Sequence, residues 1–481
     1  MKQNSSCNSR RHFLSQNALG ISSLGLASLL RADGVLGAPA KPSLVPIEYD
    51  LLPKCPHHPP QAKAMISIFT GGGPSHLDLF DRKPILDKYA GEQFPGSDIK
   101  YDNAGQATSV VLPTPWKFSR CGQSGMEVNA ELLPHFANIV DDVTLIRSMN
   151  LPDIRNHVAG MRALTTGRGR DGWPSLGSWL IYGLGAETQS LPAFVALIVN
   201  SDPPGSPFWD SRHLPSIYQG TIVREQNPRI AHLDPPKHLQ DAAQSRQLDL
   251  LRQLNQSHLQ EHAGEQDLSA RIASYELAAR MQTSATEALD LNKESKSIHE
   301  MYGTQESETR KLAEACLLAR RLVERGVRFV QIWNYAWDMH ENIFAALTGA
   351  CKRIDQPSAA LVTDLKQRGL LDSTIVQWGG EMGRLPVIQD RGQGRKPGRD
   401  HNTEGFSIWM AGGGIKAGHV HGKTDEFGHR AIEDIVTQHD FHATIMHQMG
   451  LSHSELAHST NGQSVALVEP GQGSIVEKIL A

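Results

Sequence analysis

Residues 65–81 read MISIFTGGGPSHLDLFD, and the change of character along this stretch decides the fold. Met65, Ile66, Ile68 and Phe69 form a short apolar run that Gly71, Gly72, Gly73 and Pro74 end abruptly. That is the pattern of a central parallel strand reaching its carboxyl end. His76, Asp78 and Asp81 follow at once. In open α/β sheets ligands sit just beyond the carboxyl ends of the strands, so a histidine and two carboxylates placed there are candidates for chemistry. The competing reading of Ser75 to Asp81 is a polar loop capping a helix.

Other strand ends repeat the arrangement. Val327 to Trp333 (VRFVQIW) reads as a strand leading to Trp337, Asp338, Met339 and His340. Two ligand-type side chains separated by one residue at a strand end can converge on one ion, and a structural Asp–His hydrogen bond is the alternative. Ser373 to Trp378 (STIVQW) is the next strand, running into Gly379, Gly380, Glu381, Met382, Gly383 and Arg384. Arg399, Asp400, His401 and Asn402 then precede a strand over Phe406 to Ala411. Val143 to Ile146 and Leu191 to Val199 are further core strands, and Asn156 to Gly167 is a helix start carrying His157.

Helices are expected over Glu131 to Ile139, Trp173 to Tyr182, Lys311 to Glu324, Gln356 to Arg368 and His439 to Met449. Strands alternating with helices make the chain α/β, with a mostly parallel sheet flanked by helices. Residues 239 to 301 are rich in Gln, Leu, Ala, Glu and Arg and read as a helical hairpin inserted into this frame. Pro42 to Pro60 reads as a surface arm, and Ala90 to Cys121 as loops with an edge strand over Val110 to Leu112. The long excursion from Ser201 to Asp234 makes Trp209, Arg212 and His213 pocket-wall candidates or parts of a structural flap.

The 481 residues can bury a large core, and a formal charge of −4 with a pI near 6.6 leaves no basic footprint for nucleic acid. The 22 histidines stand out, several of them beside carboxylates, as at Asp400–His401 and His439–Asp440. Ser9, Arg10, Arg11, His12, Phe13 and Leu14 match a twin-arginine export signal. An apolar run from Ala18 to Leu30 and a small-residue cleavage site at Ala38–Pro39–Ala40 follow. Residues 1–40 are therefore expected to be a signal peptide and 41–481 a single domain with no stable membrane span, in the periplasm or at the cell surface. Cys7 leaves with the signal, and the spacing of Cys55, Cys121, Cys316 and Cys351 allows two disulfides without pairing them.

The set GGGPSHLDLFD, WDMH, WGGEMGR, GRDHN and GHVHGKTDEFG resembles an exported sulfatase-like branch of the alkaline phosphatase and arylsulfatase superfamily. Asn156 to Gly167 is similar to the segment that opens on the nucleophile in that superfamily, with Leu164, Thr166 and Gly167 matching its second half. The resemblance implies a doubly wound, alkaline-phosphatase-like sheet and a divalent metal, whether zinc, calcium or manganese, acting on sulfate or phosphate esters. It places Asp338, His340, Glu381 and His401 among the metal ligands, with Asp78 or His76 standing in for a first-strand aspartate that Gly71 to Gly73 displace. The nucleophile position falls on His157, which is then the catalytic nucleophile or acid/base, and Arg384 or Arg155 would balance the charge of a small-molecule or polysaccharide ester. The alternative is a non-catalytic metal- or glycan-binding protein that retains the fold.

Overall fold

The computed structural model describes residues 49–96, 99, 101, 107–152, 154–200, 208–226, 228–231, 233, 242–261, 266–390, 392, 394–460 and 462–481. The expected signal peptide and Cys7 lie outside these residues, as do parts of the arm, of the Ser201 to Asp234 excursion and of the hairpin.

The expected α/β class is what the chain adopts. Nine strands build the central sheet: β1 (Ala64–Phe69), β2 (Val143–Asn150), β3 (Phe194–Val199), β4 (Thr221–Arg224), β5 (Phe329–Asn334), β6 (Thr374–Gly379), β7 (Phe406–Ala411), β8 (His419–His421) and β9 (Val436–Thr437). Their order is β8-β2-β7-β6-β1-β5-β3-β4, with β9 also paired to β2. Every pairing is parallel except the two made by β7. All six residues of β1, β3, β5, β6 and β7 are buried. Burial of both alternating sets means that both sheet faces are covered, which is why these strands read as continuous apolar runs.

The principal helices are α1 (His157–Thr166), α2 (Leu176–Leu184), α3 (Ala242–Glu261), α4 (Gln266–Leu289), α5 (Arg310–Glu324), α6 (Ile343–Gln367) and α7 (Gln438–Gln448). Helices α5 and α6 pack on one another, and α5 lies on β1, β3 and β5. No helix among the described residues is long and apolar enough to cross a membrane. Cys55, Cys121, Cys316 and Cys351 are all free thiols.

Three sequence expectations give way. The helix expected at Glu131 to Ile139 shrinks to a short 3-10 turn, Phe136–Asn138. Its backbone donors are taken instead by the Asp355 carboxylate, which accepts from His135 N at 2.7 Å and Phe136 N at 2.8 Å. The strand near Val110 is real (Ala107–Val111) but pairs with Val387–Gln389 in a separate ribbon, not with the sheet edge. Helix α6 begins at Ile343, well before Gln356, and runs through the buried Pro357.

Residue Phe69 is level with Trp333 of β5 and Gly379 of β6. The carboxyl ends of the three central strands are therefore flush. Passing from β5 to β6, the chain must cross over β1, so the crevice of the sheet opens at these ends.

Candidate metal centre

The floor of the crevice is made of main chain. Gly72 and Gly73 take φ values of +108° and +75°, a region that disfavours side chains. The space above the turn is also filled. A Cβ on Gly71 would lie 2.8 Å from Tyr335 Cδ2, one on Gly72 2.5 Å from Asp338 N, and one on Gly73 2.7 Å from Met382 Cγ. The loops after β5 and β6 rest directly on the glycines, which leaves no room for an aspartate side chain at this strand end.

The guanidinium of Arg384, wholly buried, ties those loops down. Its Nε donates to Gly73 O at 2.9 Å, its Nη1 to Arg399 O at 3.1 Å, and its Nη2 to Gly72 O, to Trp337 O at 3.0 Å and to Asp338 Oδ1 at 2.9 Å. A side chain so committed orients ligands and does not face a substrate.

Above this floor His157, Asp338, His340 and His401 each offer one ligand atom, all within 4.8 Å of one another. His157 is the first residue of α1, whose start is fixed by the Asn156 side chain accepting from Ala159 N at 2.9 Å. Asp338 and His340 follow β5, and His401 pairs with Arg384 in a small ribbon.

The anchoring of the three imidazoles determines what they can do. His157 Nδ1 lies 2.6 Å from Glu381 Oε1, His340 Nδ1 2.5 Å from Gln389 Oε1, and His401 Nδ1 2.9 Å from the carbonyl of Arg155. Each partner is an acceptor, so each Nδ1 carries the proton, and in the neutral ring Nε2 holds a lone pair. The three Nε2 atoms converge on Asp338 Oδ1, at 2.9 Å from His157, 2.7 Å from His340 and 3.5 Å from His401. The rings of His340 and His401 also meet Nε2 to Nε2 at 3.0 Å. Buried His157 Nε2 makes no aligned hydrogen bond although it sits at ion-pair distance from Asp338.

Protons fill the gap between these lone pairs. Burial works against a charged His157, yet the carboxylates of Asp338 and Glu381 outweigh it and lift the imidazole to about 9. Burial also opposes ionisation of Asp338, but the close approach of His157, His340 and His401, with the Arg384 charge, holds it far below the ordinary carboxylate range. For His401 burial prevails and the ring is pushed down, helped by the positive charge of its neighbours. Tyr335, edge-on to His157 with ring centroids 6.4 Å apart, is pushed up to about 12 by burial and by Asp338 and Glu381.

The structure thus brings together Asp338, His340 and His401 with His157, which joins them as a potential ligand. Glu381 stands one shell back. Its Oε1 meets His157 Nδ1, and its two oxygens accept from Gly72 N at 3.0 and 3.3 Å. His76 and Asp78 are not brought in. They occupy a buried helical turn, His76–Leu79, where Asp78 pairs with the equally buried Arg399 at 3.0 and 3.2 Å. Nε2 of His76 bonds Gly428 O at 2.8 Å. Trp209 is buried, Arg212 pairs with Asp171 and Asp210, and His213 lies edge-on to Trp173. Two participants carried no sequence signal: Gln389, which lies in a ribbon 49 residues from His340, and Tyr335.

A divalent ion fits these residues. Three imidazoles with Nδ1 hydrogen-bonded behind them and one carboxylate make a donor set of the kind that holds zinc or a neighbouring transition metal. The unbonded, buried His157 Nε2 is the atom such an ion would satisfy.

Among curated proteins none matches this chain. Of solved structures, the PsFucS1 sulfatase from Pseudoalteromonas sp. is 12% identical, over 81% of this chain and 68% of that one, with a TM-score of 0.35. The lipoteichoic acid synthase LtaP from Listeria monocytogenes is 10% identical over 85% and 75%, with a TM-score of 0.33. The phosphonate monoester hydrolase SpPMH from Silicibacter pomeroyi is 11% identical over 66% and 68%, with a TM-score of 0.32. Likeness of this degree does not extend to ligands or activity, which are properties of those proteins. One family spans residues 62–480, nearly the whole described chain, and the protein therefore belongs to it: the family described as "Protein of unknown function (DUF1501)".

Proposed function

We propose that this chain is a metal-dependent hydrolase of sulfate or phosphate esters, with its metal held by His157, Asp338, His340 and His401. One observation carries the reading: three histidines with anchored Nδ1 protons turn their Nε2 atoms toward a single carboxylate oxygen. A donor set dominated by imidazole favours zinc or manganese over calcium, which prefers oxygen ligands. Bound there, the ion would polarise an ester oxygen and lower the pKa of a coordinated water to about 7.

The chain's own residues have distinct parts. Glu381 and Gln389 hold the tautomers of His157 and His340. Arg384 fixes Asp338 from below. Since Arg384 is spent on carbonyls, the cation facing an anionic substrate is Arg155, whose side chain is exposed two residues before His157 and makes no ion pair among the described residues. The twin-arginine motif at Ser9 to Leu14 supports export of the protein.

The anchoring of His157 Nδ1 on Glu381, with Nε2 turned toward Asp338, also favours a second reading, a metal-binding protein without turnover, because a nitrogen given to the metal is not free to attack. Elemental analysis of purified protein, followed by assay of aryl sulfates and aryl phosphates with and without chelator, decides. We expect at least one transition-metal equivalent and chelator-sensitive turnover. Metal without turnover on a broad ester panel leaves the binding reading, and no metal in chelator-free preparations defeats both.

A further inference from the structure

We infer that the hydroxyl of Tyr335 is the hydrogen-bond donor that receives a tetrahedral oxyanion at this centre, a role that rests on the metal reading above. Tyr335 is the first residue beyond β5, the strand whose end delivers Asp338 and His340. Its ring is held on two sides. It stands nearly perpendicular to the His157 ring, at 88°. It also lies over Gly71, where any Cβ would come within 2.8 Å of Cδ2.

A ring so pinned presents its hydroxyl at low entropic cost. Buried tyrosines ordinarily find a partner for that hydroxyl. Tyr335 is only partly buried, and its hydroxyl bonds to no described residue. Its phenolic O–H offers a hydrogen-bond donor.

What such a donor recognises follows from its neighbours. Asp338 is the most exposed of the four ligand side chains, at 30%, so the centre opens on its side. A charged oxygen there would meet the metal and a neutral O–H donor together. The donor strengthens as negative charge accumulates on its acceptor. This selects a sulfate or phosphate group over a neutral carbonyl.

The test uses the full chain loaded with zinc, as wild type and Tyr335→Phe, which preserves the ring against Gly71 and His157. Zinc content is measured by elemental analysis, and binding of inorganic sulfate and inorganic phosphate by calorimetry. We expect equal zinc and an affinity for the preferred anion about ten-fold weaker in the variant, the size of one hydrogen bond to a charged acceptor. Unchanged affinity, no anion binding by zinc-loaded wild type, or loss of zinc in the variant each overturns the inference. Wild type that takes up no zinc defeats the metal reading itself, whereas zinc with equal anion affinities removes only the role of Tyr335.

Discussion

Two clusters of buried charge lie on opposite terms with their surroundings. Beneath the helical insertion, Arg320 reaches Glu294 at 2.7 Å, Glu324 at 2.8 Å and Asp364 at 2.9 Å. Arg321 joins Glu294 and the carbonyl of Ala288, Arg368 joins Asp364 at 2.7 Å, and the Tyr302 hydroxyl donates to Asp364 at 3.0 Å. Each carboxylate there has an arginine and each arginine a carboxylate, so the network is closed. It fastens the end of α4 to α5 and α6. At the strand ends the count is lopsided: one carboxylate oxygen faces three imidazole nitrogens and a guanidinium. The first cluster is paired charge for charge, although Arg320 Nε and Nη2 meet their carboxylates without an aligned hydrogen bond. The second turns three imidazole nitrogens on one carboxylate oxygen, and that difference separates a structural ion network from a candidate ligand site.

Cutting one member from each cluster should give opposite results. Asp338→Ala is expected to abolish stoichiometric metal and to cost the chelated protein less stability than the loss of Arg320, because Asp338 is partly exposed and Arg384 keeps its carbonyl partners. Arg320→Met is expected to leave metal content intact and to cost about 3–5 kcal/mol of stability, since Glu294 and Asp364 lose a buried partner. Metal analysis and denaturant unfolding of both variants check this. Equal loss of stability in the two would erase the distinction.

A gentler change sharpens it. Glu381→Gln keeps an oxygen for His157 but replaces a carboxylate with a group half of which is a donor facing Gly72 N–H. Metal affinity should fall about 10- to 100-fold, the usual effect of an outer-shell partner, with the ligands untouched. Competition against a chromophoric chelator measures it, and an unchanged affinity would return Glu381 to a purely structural role.

A third change is in pH. With His157 raised to about 9 in the metal-free fold and about 6.5 unfolded, its contribution is fully present below about pH 6.5. It is lost as pH climbs through 9, on the order of 3 kcal/mol. Metal must displace the same proton, so metal affinity rises across that window. Melting curves with and without chelator between pH 6 and pH 9.5 should therefore diverge as pH increases. Parallel curves would mean that His157 holds no exchangeable proton.

Much of the architecture could be read from local pattern. The apolar run Met65 to Phe69 and its glycine stop announce the central strand, and the composition of 239 to 301 announces helices, because period and punctuation are local properties. For the centre, the sequence indicated which loops would meet, through Asp338, His340 and His401. It could not indicate which way side chains turn. Asp78 is claimed by Arg399, 321 residues away, and His340 by Gln389, 49 residues away. Gln389 lies in no motif, and Arg399, although part of GRDHN, gives no sign of which carboxylate it meets. The surplus of carbonyls around Arg384 is invisible for the same reason, since main-chain acceptors have no sequence signature.

The glycine floor has a mechanical consequence. Main chain laid on main chain transmits displacement rigidly, and the loops bearing Asp338 and Glu381 both rest on one glycine turn, the first on Gly71 and Gly72 and the second on Gly72 and Gly73. The two sides of the centre therefore cannot be adjusted independently: whatever moves the turn moves a ligand and the support of another together. The site behaves as a single machined part, in which geometry is inherited from the sheet.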